Sequence, residues 1–400
     1  MGLAPFAAYL VVCLLFSPAT TPGFLLVNHI LIILMDIISE IAGQFKLDGK
    51  VADISAFGSG HIHQTYYIKT VSSRDDDYIL QLINTNVFRE PDAVMQNLAL
   101  VTSHIIRKLT AEGEKELKRR VLHPVQTHDG NLKYHDTENQ VWRCFIFIPD
   151  HLSFDRAVNE HQVFEGGKAF GKFLTDLSDL PVSQIHYTIP DFHNLDWRLQ
   201  QFNDALSNGV RSRIRETDSE INMLKSRQDE MRTIRKLGSE GKIPLRIVHH
   251  DTKINNVLYS ADEQALCVID LDTVMPGYVH DDFGDAIRTF TNTGEEDDAN
   301  LNNISMNILY FKAFAEGFLG VAGPMLNSVE KEYLALSARI MTYMQVLRFL
   351  TDYLNGDTYY RIHHPTHNLQ RARAQMKLLL SMEEQYEEMQ RIVEEVIGER

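Results

Sequence analysis

The sequence predicts an α+β fold in two lobes, a β-rich N-terminal lobe and a mainly helical C-terminal one. Three observations carry that prediction. Runs of strand-forming residues cut by turn residues fill 51 to 83 and return at 141 to 148. Beyond Pro149 long stretches carry helical apolar spacing. One strand-rich segment, 245 to 272, interrupts those helices and gathers carboxylates and amides.

In chain order, residues 3 to 16 and 24 to 35 are strongly apolar and are split by Ser-Pro-Ala-Thr-Thr-Pro-Gly at 17 to 23. The first Lys or Arg is Lys46, which disfavours a secretory signal, and neither run reaches the roughly 18 residues of a spanning helix. Three readings stay open: a true start at Met35, a weak anchor, or a signal. Residues 1–34 are expected to lie outside the folded unit, and Met35-Asp-Ile-Ile-Ser-Glu-Ile-Ala to begin an amphipathic helix. Strands are expected at Val51 to Phe57, Thr65 to Val71 and Tyr78 to Ile83, and a helix from Pro91 to Leu109. Glu112 to Arg120 reads as a charged connector. Two strands should flank the His128-Asp-Gly-Asn turn, and Val141 to Ile148 should form another. Helices follow at Val163–Leu177, Asp196–Leu206, Ile214–Leu237, Asn302–Leu319, Lys331–Leu354 and from Leu369 to the C-terminus. The lobes are thus 35–148 and 149–400, joined at Ile148-Pro149-Asp150.

Composition narrows the partners. With 39 basic and 54 acidic residues the formal charge is −15, which disfavours nucleic acid and anionic membrane, the latter except through residues 1–34. Cys13, Cys144 and Cys267 are far apart, without disulfide or zinc spacing, so a reducing, cytoplasmic setting is expected and Cys144 and Cys267 read as core.

The run Val-His-His-Asp-Thr-Lys-Ile-Asn-Asn, Val248 to Asn256, with Val-Ile-Asp-Leu-Asp at 268 to 272, is the most informative. It reproduces the order H-x-D-x-K-x-x-N, and Asp270 lies 19 residues beyond Asp251, room for a strand, a Ser260–Glu263 turn and a second strand. Phosphoryl transfer needs a group that aligns the attacking hydroxyl and oxygen ligands for a metal. Asp251 suits the first role, with Lys253 neutralising charge on the transferred group. Asn256 and Asp270 supply hard oxygens for Mg2+. Asp272, two residues on along an expected strand, would share the face of Asp270. Gly58-Ser59-Gly60 would let backbone N–H groups approach ATP phosphates, and the backbone at 146 to 148, ending on Ile148, would face adenine. His363, His364 and His367 read as a polar loop.

At these residues the chain resembles the aminoglycoside phosphotransferase and choline kinase superfamily over about residues 40 to 385, and more narrowly the N-acetylhexosamine 1-kinase group. The stretches that carry the resemblance are Phe-Gly-Ser-Gly-His-Ile-His at 57 to 63, Tyr-Ile-Leu-Gln at 78 to 81, Thr-Ile-Pro-Asp-Phe-His-Asn at 188 to 194 and His-Asp-Thr-Lys-Ile-Asn-Asn at 250 to 256. Ile-Asp-Leu-Asp-Thr-Val-Met-Pro-Gly at 269 to 277, Asp-Phe-Gly-Asp-Ala-Ile-Arg at 282 to 288 and Arg-Phe-Leu-Thr-Asp-Tyr-Leu-Asn-Gly-Asp at 348 to 357 complete it. The resemblance implies a two-lobed protein-kinase-like fold and an ATP- and Mg2+-dependent enzyme. Such an enzyme would phosphorylate a small metabolite, and the narrower resemblance implies the anomeric hydroxyl of an N-acetylhexosamine (GlcNAc or GalNAc). It implies sugar contacts at His61, His193 and Arg348, with Asp272 a second metal ligand or a substrate contact. Asp282 and Asp285 would support the catalytic loop, although Asp282-Phe-Gly spells a protein-kinase metal motif literally. One position departs from the kinase pattern: Gln81 stands where many kinases place a phosphate-binding lysine, with Gln96 or Glu90 its expected helical partner. A kinase for an amino alcohol or aminoglycoside, and a silent nucleotide-binding pseudokinase, remain alternatives.

Overall fold

The computed structural model describes residues 35–58 and 62–398, which form two compact units. The first holds the described residues up to Ala99 together with Leu122–Pro149; the second holds Leu100–Val121 and everything from Asp150. Helix α1 (Pro91–Ala111) therefore begins in the first and ends in the second. The expectations for residues 1–34, and for Ser59, Gly60 and His61, lie outside the described residues.

The first unit is one antiparallel sheet of β1 (Val51–Ala56), β2 (Gln64–Thr70), β3 (Tyr78–Leu82), β4 (Pro124–Val125), β5 (Tyr134–His135) and β6 (Val141–Ile146). Its order is β1-β2-β3-β6-β4, with β5 also on β6. Strand alternation sends Ile54, Tyr66, Ile68, Leu80 and Cys144 into one core, closed by Ile38, Ile41 and Phe45 from the helical residues 35–42 and the turn after them. The strands around the His128 turn shrink to two residues each, because Thr127 N–H turns inward to the Asn131 carbonyl and Gly130 takes φ 83°.

The second unit is helical: α2 (Glu160–Asp176), α3 (Leu195–Asn208), α4 (Asp218–Met231), α5 (Val279–Phe290), α6 (Ile308–Ala322), α7 (Leu334–Leu354), α8 (His367–Glu384) and α9 (Tyr386–Gly398), besides shorter turns. α2 and α6 meet backbone to backbone through glycine. A Cβ on Gly167 would lie 2.4 Å from the Phe314 carbonyl, and one on Gly317 would lie 2.1 Å from that of Phe164. Several expected helices start late or divide, each at a polar residue that competes for backbone groups. The helix expected over 214–237 becomes Arg211–Glu216, α4 and Thr233–Ser239, where the buried Thr217 hydroxyl donates to the Arg213 carbonyl at 2.8 Å. α6 begins only at Ile308, because the Asn307 side chain caps Leu309 and Tyr310. A capping box of Asn327 and Glu330 starts the short helix Ser328–Glu332 ahead of the expected one, and Tyr333 parts it from α7. Gln385 parts α8 from α9 while its amide donates to the Met306 carbonyl at 2.9 Å.

Candidate active site

The segment before Asp251 is β7 (Arg246–Val248), which pairs with β10 (Met275–Gly277). After it, β8 (Val257–Tyr259) and β9 (Ala265–Val268) form the hairpin around Ser260–Glu263. Between β7 and β8 the chain alternates anchors and site residues: Val248, Ile254 and Val257 enter the core of the helical unit. The loop is held from below by α5. Asp282 and Asp285 lie one helical turn apart on one face. The Asp282 carboxylate accepts the N–H groups of His249 at 2.8 Å and His250 at 2.7 Å; Asp285 accepts that of Thr252 at 3.1 Å. The hydroxyls of Thr252 and Thr273 donate to the carbonyls of Asp282 and His249, both at 2.7 Å. This clamp forces His250 to φ 64°, a left-handed conformation that a non-glycine residue holds only when its surroundings over-determine it.

The literal Asp-Phe-Gly at 282 to 284 is thereby explained without metal. Asp282 ties the loop and Phe283 is core. Gly284 lets α5 approach α7, since a Cβ there would lie 2.3 Å from the Ser337 carbonyl. Burial pushes the Asp282 carboxyl up to about 7 despite the two amides it accepts.

Asp251 stands at the head of this loop. Lys253 Nζ donates to its Oδ2 at 2.8 Å and Asn256 Nδ2 to the same oxygen at 3.0 Å. Burial would raise this carboxyl, but the Lys253 ammonium outweighs it and holds the pKa below the usual carboxylate range. Lys253 is raised in turn, against burial, by Asp251 and then Asp270. Asn256 is 4% exposed; its amide nitrogen also donates to the Asp251 carbonyl at 2.8 Å, which leaves its oxygen turned from Asp251. The Ile269 N–H donates to the Asn256 carbonyl at 2.9 Å, so Asp270 follows directly beside Asn256. Two hard oxygen donors and a lysine thus neighbour Asp251.

Asp272 departs from expectation. Asp270 has φ 61° and Leu271–Thr273 form a single 3-10 turn, so strand alternation ends before Asp270 and the two carboxylates do not share a strand face. Asp272 is 1% exposed, and its carbonyl accepts the Thr188 hydroxyl at 2.7 Å. That bond ties the segment 188–194 to the loop.

His193, on that segment, is buried against the loop itself: its Nδ1 lies 3.0 Å from His250 Nδ1. A carbonyl only accepts, so the contact of His250 Nε2 with the Pro276 carbonyl at 3.5 Å places a proton on Nε2. His250 Nδ1 then accepts from His193, whose Nε2 keeps a lone pair. Burial lowers both rings and keeps them neutral, helped at His193 by His250 and Arg348, and at His250 by Arg235 and His249 against the pull of Asp281. Phe192 stacks on His193, and Arg348 lies over Phe192 at 5.3 Å and over Tyr360 at 5.7 Å. Arg348 lies within α7 rather than at a helix end. Arg198, which residue patterns did not single out, donates to the Phe192 carbonyl at 2.9 Å. Its place in the first turns of α3, where the helix dipole disfavours a cation, was a readable signal. Among the described residues neither Arg198 nor Arg348 makes an ion pair with a carboxylate, and both Nε atoms are buried without a hydrogen-bond partner.

In the first unit Gly58 takes φ 77°, which only glycine adopts without strain. Gln81 pairs with neither Gln96 nor Glu90. It donates to Thr65 Oγ1 at 3.1 Å and accepts from Arg143 Nε at 3.0 Å. At the expected adenine-facing backbone, the N–H groups of Ile146 and Phe147 already donate to the carbonyls of His123 (3.0 Å) and Asp77 (2.8 Å), so those two donors are not open to a base. Ile148 is buried. Cys144 and Cys267 are buried, the latter with its thiol pushed up to about 12 by burial. His367 Nδ1 accepts from the His363 N–H and its Nε2 donates to Asp297 at 2.8 Å, and among the described residues no three His, Cys, Asp or Glu side chains are grouped to hold a metal.

Residues 53–305 match the model of the phosphotransferase enzyme family. Among solved structures the chain is similar to a microcompartment-associated aminopropanol kinase (15% identity, TM-score 0.59, covering 88% of this chain and 98% of that one). It is also similar to an aminoglycoside phosphotransferase from Alicyclobacillus acidocaldarius (12%, TM-score 0.58, covering 88% and 96%). A third is a choline kinase from Cryptosporidium parvum (13%, TM-score 0.54, covering 89% and 97%). At these identities the likeness is one of fold: a protein-kinase-like phosphotransferase fold with a β-sheet small lobe and a helical large lobe.

Proposed function

From the premise that this chain belongs to the phosphotransferase enzyme family and is an ATP-dependent small-molecule kinase, we propose that Asp251 aligns the hydroxyl of an N-acetylhexosamine, the anomeric one, for attack on ATP. The observation that carries this reading is the division of labour on the Asp251 carboxylate. Oδ2 receives both Lys253 and Asn256, whereas Oδ1 has no hydrogen bond from a described residue and is left for an acceptor O–H. Its lowered pKa keeps it ionised at neutral pH, which suits an aligning acceptor of a hydrogen bond better than a strong base. Lys253 counters charge on the group in transfer. Asn256 Oδ1 and the Asp270 carboxylate fit Mg2+, a hard ion that prefers oxygen. Bound there, the ion would neutralise phosphate charge. In this reading residues 35–148 serve the nucleotide, residues 149–400 serve metal and acceptor, and residues 1–34 stand outside the catalytic unit.

The sugar class rests on the surroundings of Phe192. Aromatic faces, a neutral histidine lone pair and two guanidiniums suit a hydroxyl-rich, uncharged acceptor. His193, Arg348 and, less directly, the buried Asp272 are the assigned contacts, with His61 proposed from the sequence alone. The aminopropanol and choline kinases named above act, by their names, on amines, and a net charge of −15 would attract such acceptors. The local charge weighs against it: an ammonium beside Arg198 and Arg348 meets two guanidiniums that make no ion pair among the described residues, with Asp191 the nearby carboxylate acting on Arg198. A silent pseudokinase has only Gln81 in its favour. No helix among the described residues is long and apolar enough to cross a membrane; a cytoplasmic location is proposed because ATP is the co-substrate. The test is ADP release on Mg-ATP with GlcNAc, GalNAc, choline, ethanolamine and an aminoglycoside. Turnover confined to the amines would overturn the sugar assignment, and none with any acceptor would favour the pseudokinase.

A further inference from the structure

Thr65, Gln81 and Arg143 stand side by side across three neighbouring strands. Thr65 is directly opposite Gln81 in the β2–β3 ladder, and Gln81 directly opposite Arg143 in the β3–β6 ladder. All three therefore share one face, while Tyr66, Leu80 and Cys144 take the other. Arg143 is 3% exposed and its guanidinium lies 5.1 Å from the Phe145 ring; Thr65 and Gln81 are only half-buried. A guanidinium only donates, so the 3.0 Å contact from Arg143 Nε fixes Gln81 Oε1 toward β6. Nε2 then faces β2, where one of its two hydrogens goes to Thr65 Oγ1 at 3.1 Å. Having accepted, the Thr65 hydroxyl keeps its own hydrogen to give.

We propose that this row replaces the missing lysine: Gln81 Nε2–H and Thr65 O–H bind the nucleotide phosphates, and Arg143 is the positioning residue behind them. The proposal rests on the kinase reading and adds to it how the phosphates are held. Arg143 does two things there. It sets the amide the right way round, and its positive charge polarises the chain of donors from one strand behind. The geometry also explains why Gln81 is not a lysine. An ammonium at that position would face the buried guanidinium of Arg143 across one strand spacing, without the carbonyl oxygen that now accepts from it.

The test is calorimetric binding of ADP and of adenosine, each with Mg2+, to the full chain and its variants. Arg143→Met keeps length and apolar bulk in a buried site but removes the donor. Affinity for ADP is expected to fall about tenfold, the scale of one charge-assisted hydrogen bond, with adenosine affinity unchanged. Gln81→Lys alone should also weaken ADP binding, whereas Gln81→Lys combined with Arg143→Met should recover it, because the lysine then meets no like charge. Thr65→Val offers the same phosphate-selective loss without touching Arg143, should Arg143→Met fail to fold. Equal losses for ADP and adenosine, no loss for either, or a double variant no better than its parents would overturn the proposal. Wild-type protein that binds no nucleotide would bring down the kinase reading itself, a different result from any of these.

Discussion

At the scale of residues, Asp251 is a part-buried carboxylate with one oxygen committed to Lys253 and Asn256 and the other open among the described residues. Asp251→Asn keeps size and the hydrogen bond to Lys253 but removes the charge that aligns an O–H. Turnover should drop by several orders of magnitude while ADP affinity stays near wild type. Retention of more than about a tenth of turnover would mean that another group aligns the acceptor. Asp251, Lys253, Asn256 and Asp270 were legible because loop chemistry of this kind depends on order along the chain. Arg143 was not, because it acquires meaning only through Gln81 across the sheet, and Arg198 carried only the weaker signal of a cation in the first turns of α3. Asp272 misled because alternation was assumed to continue through Asp270, and a residue in the left-handed region ends it.

At the scale of elements, the Asp251 loop takes its shape from the first two turns of α5. Asp282→Ala strands two buried N–H groups and should destabilise the protein by roughly 2–4 kcal/mol, read as a lowered melting temperature. Asp270→Ala should instead leave the protein folded, with a smaller fall in melting temperature set by its left-handed backbone, and impair Mg-ATP use. An Asp282→Ala protein that melts normally yet no longer binds nucleotide in a metal-dependent way would hand the metal role back to the literal Asp-Phe-Gly. The α2–α6 contact makes a second prediction. Gly167→Ala drives a methyl into the Phe314 carbonyl and should cost about 1–3 kcal/mol by denaturant titration, whereas the same change at exposed Gly398 should cost nothing measurable. Helix existence was legible from apolar spacing. The division at Gln385 was not, because its amide bonds the Met306 carbonyl only once the fold has brought the two together, and the local bond of the Thr217 hydroxyl to the Arg213 carbonyl leaves no mark in apolar spacing.

At the scale of the whole molecule, an acidic chain holds several of its histidines neutral in its interior. Burial lowers His193, His249, His250 and His280, the last to about 4. An unfolded histidine, with a pKa near 6.5, takes up protons that the folded one refuses. Stability should therefore be lost as pH falls below about 6.5. Asp282 acts in the opposite sense: raised to about 7, it binds its proton in the fold, and its contribution is lost as pH rises from the unfolded value of 3.8. Asp176, also raised by burial, acts with Asp282, while the lowered carboxyls of Asp77, Asp179, Glu220 and Asp251 act with the four histidines, and that majority sets the sign. Urea titrations between pH 7 and 4.5 should show falling stability; a flat or rising profile would mean that these rings are not held neutral. The two-lobed α+β class was legible from the change of pattern at Pro149. The proposed acceptor rests on a resemblance, since acceptor contacts are assembled from single residues far apart in sequence.

The most direct test of the proposed chemistry is 31P NMR of the product formed from Mg-ATP and GlcNAc by wild-type protein and by Asp251→Asn. The proposal predicts a sugar phosphate whose phosphorus couples to the anomeric proton, formed by the wild type and absent with the variant. A product phosphorylated elsewhere on the ring, or the same product from both proteins, would contradict it.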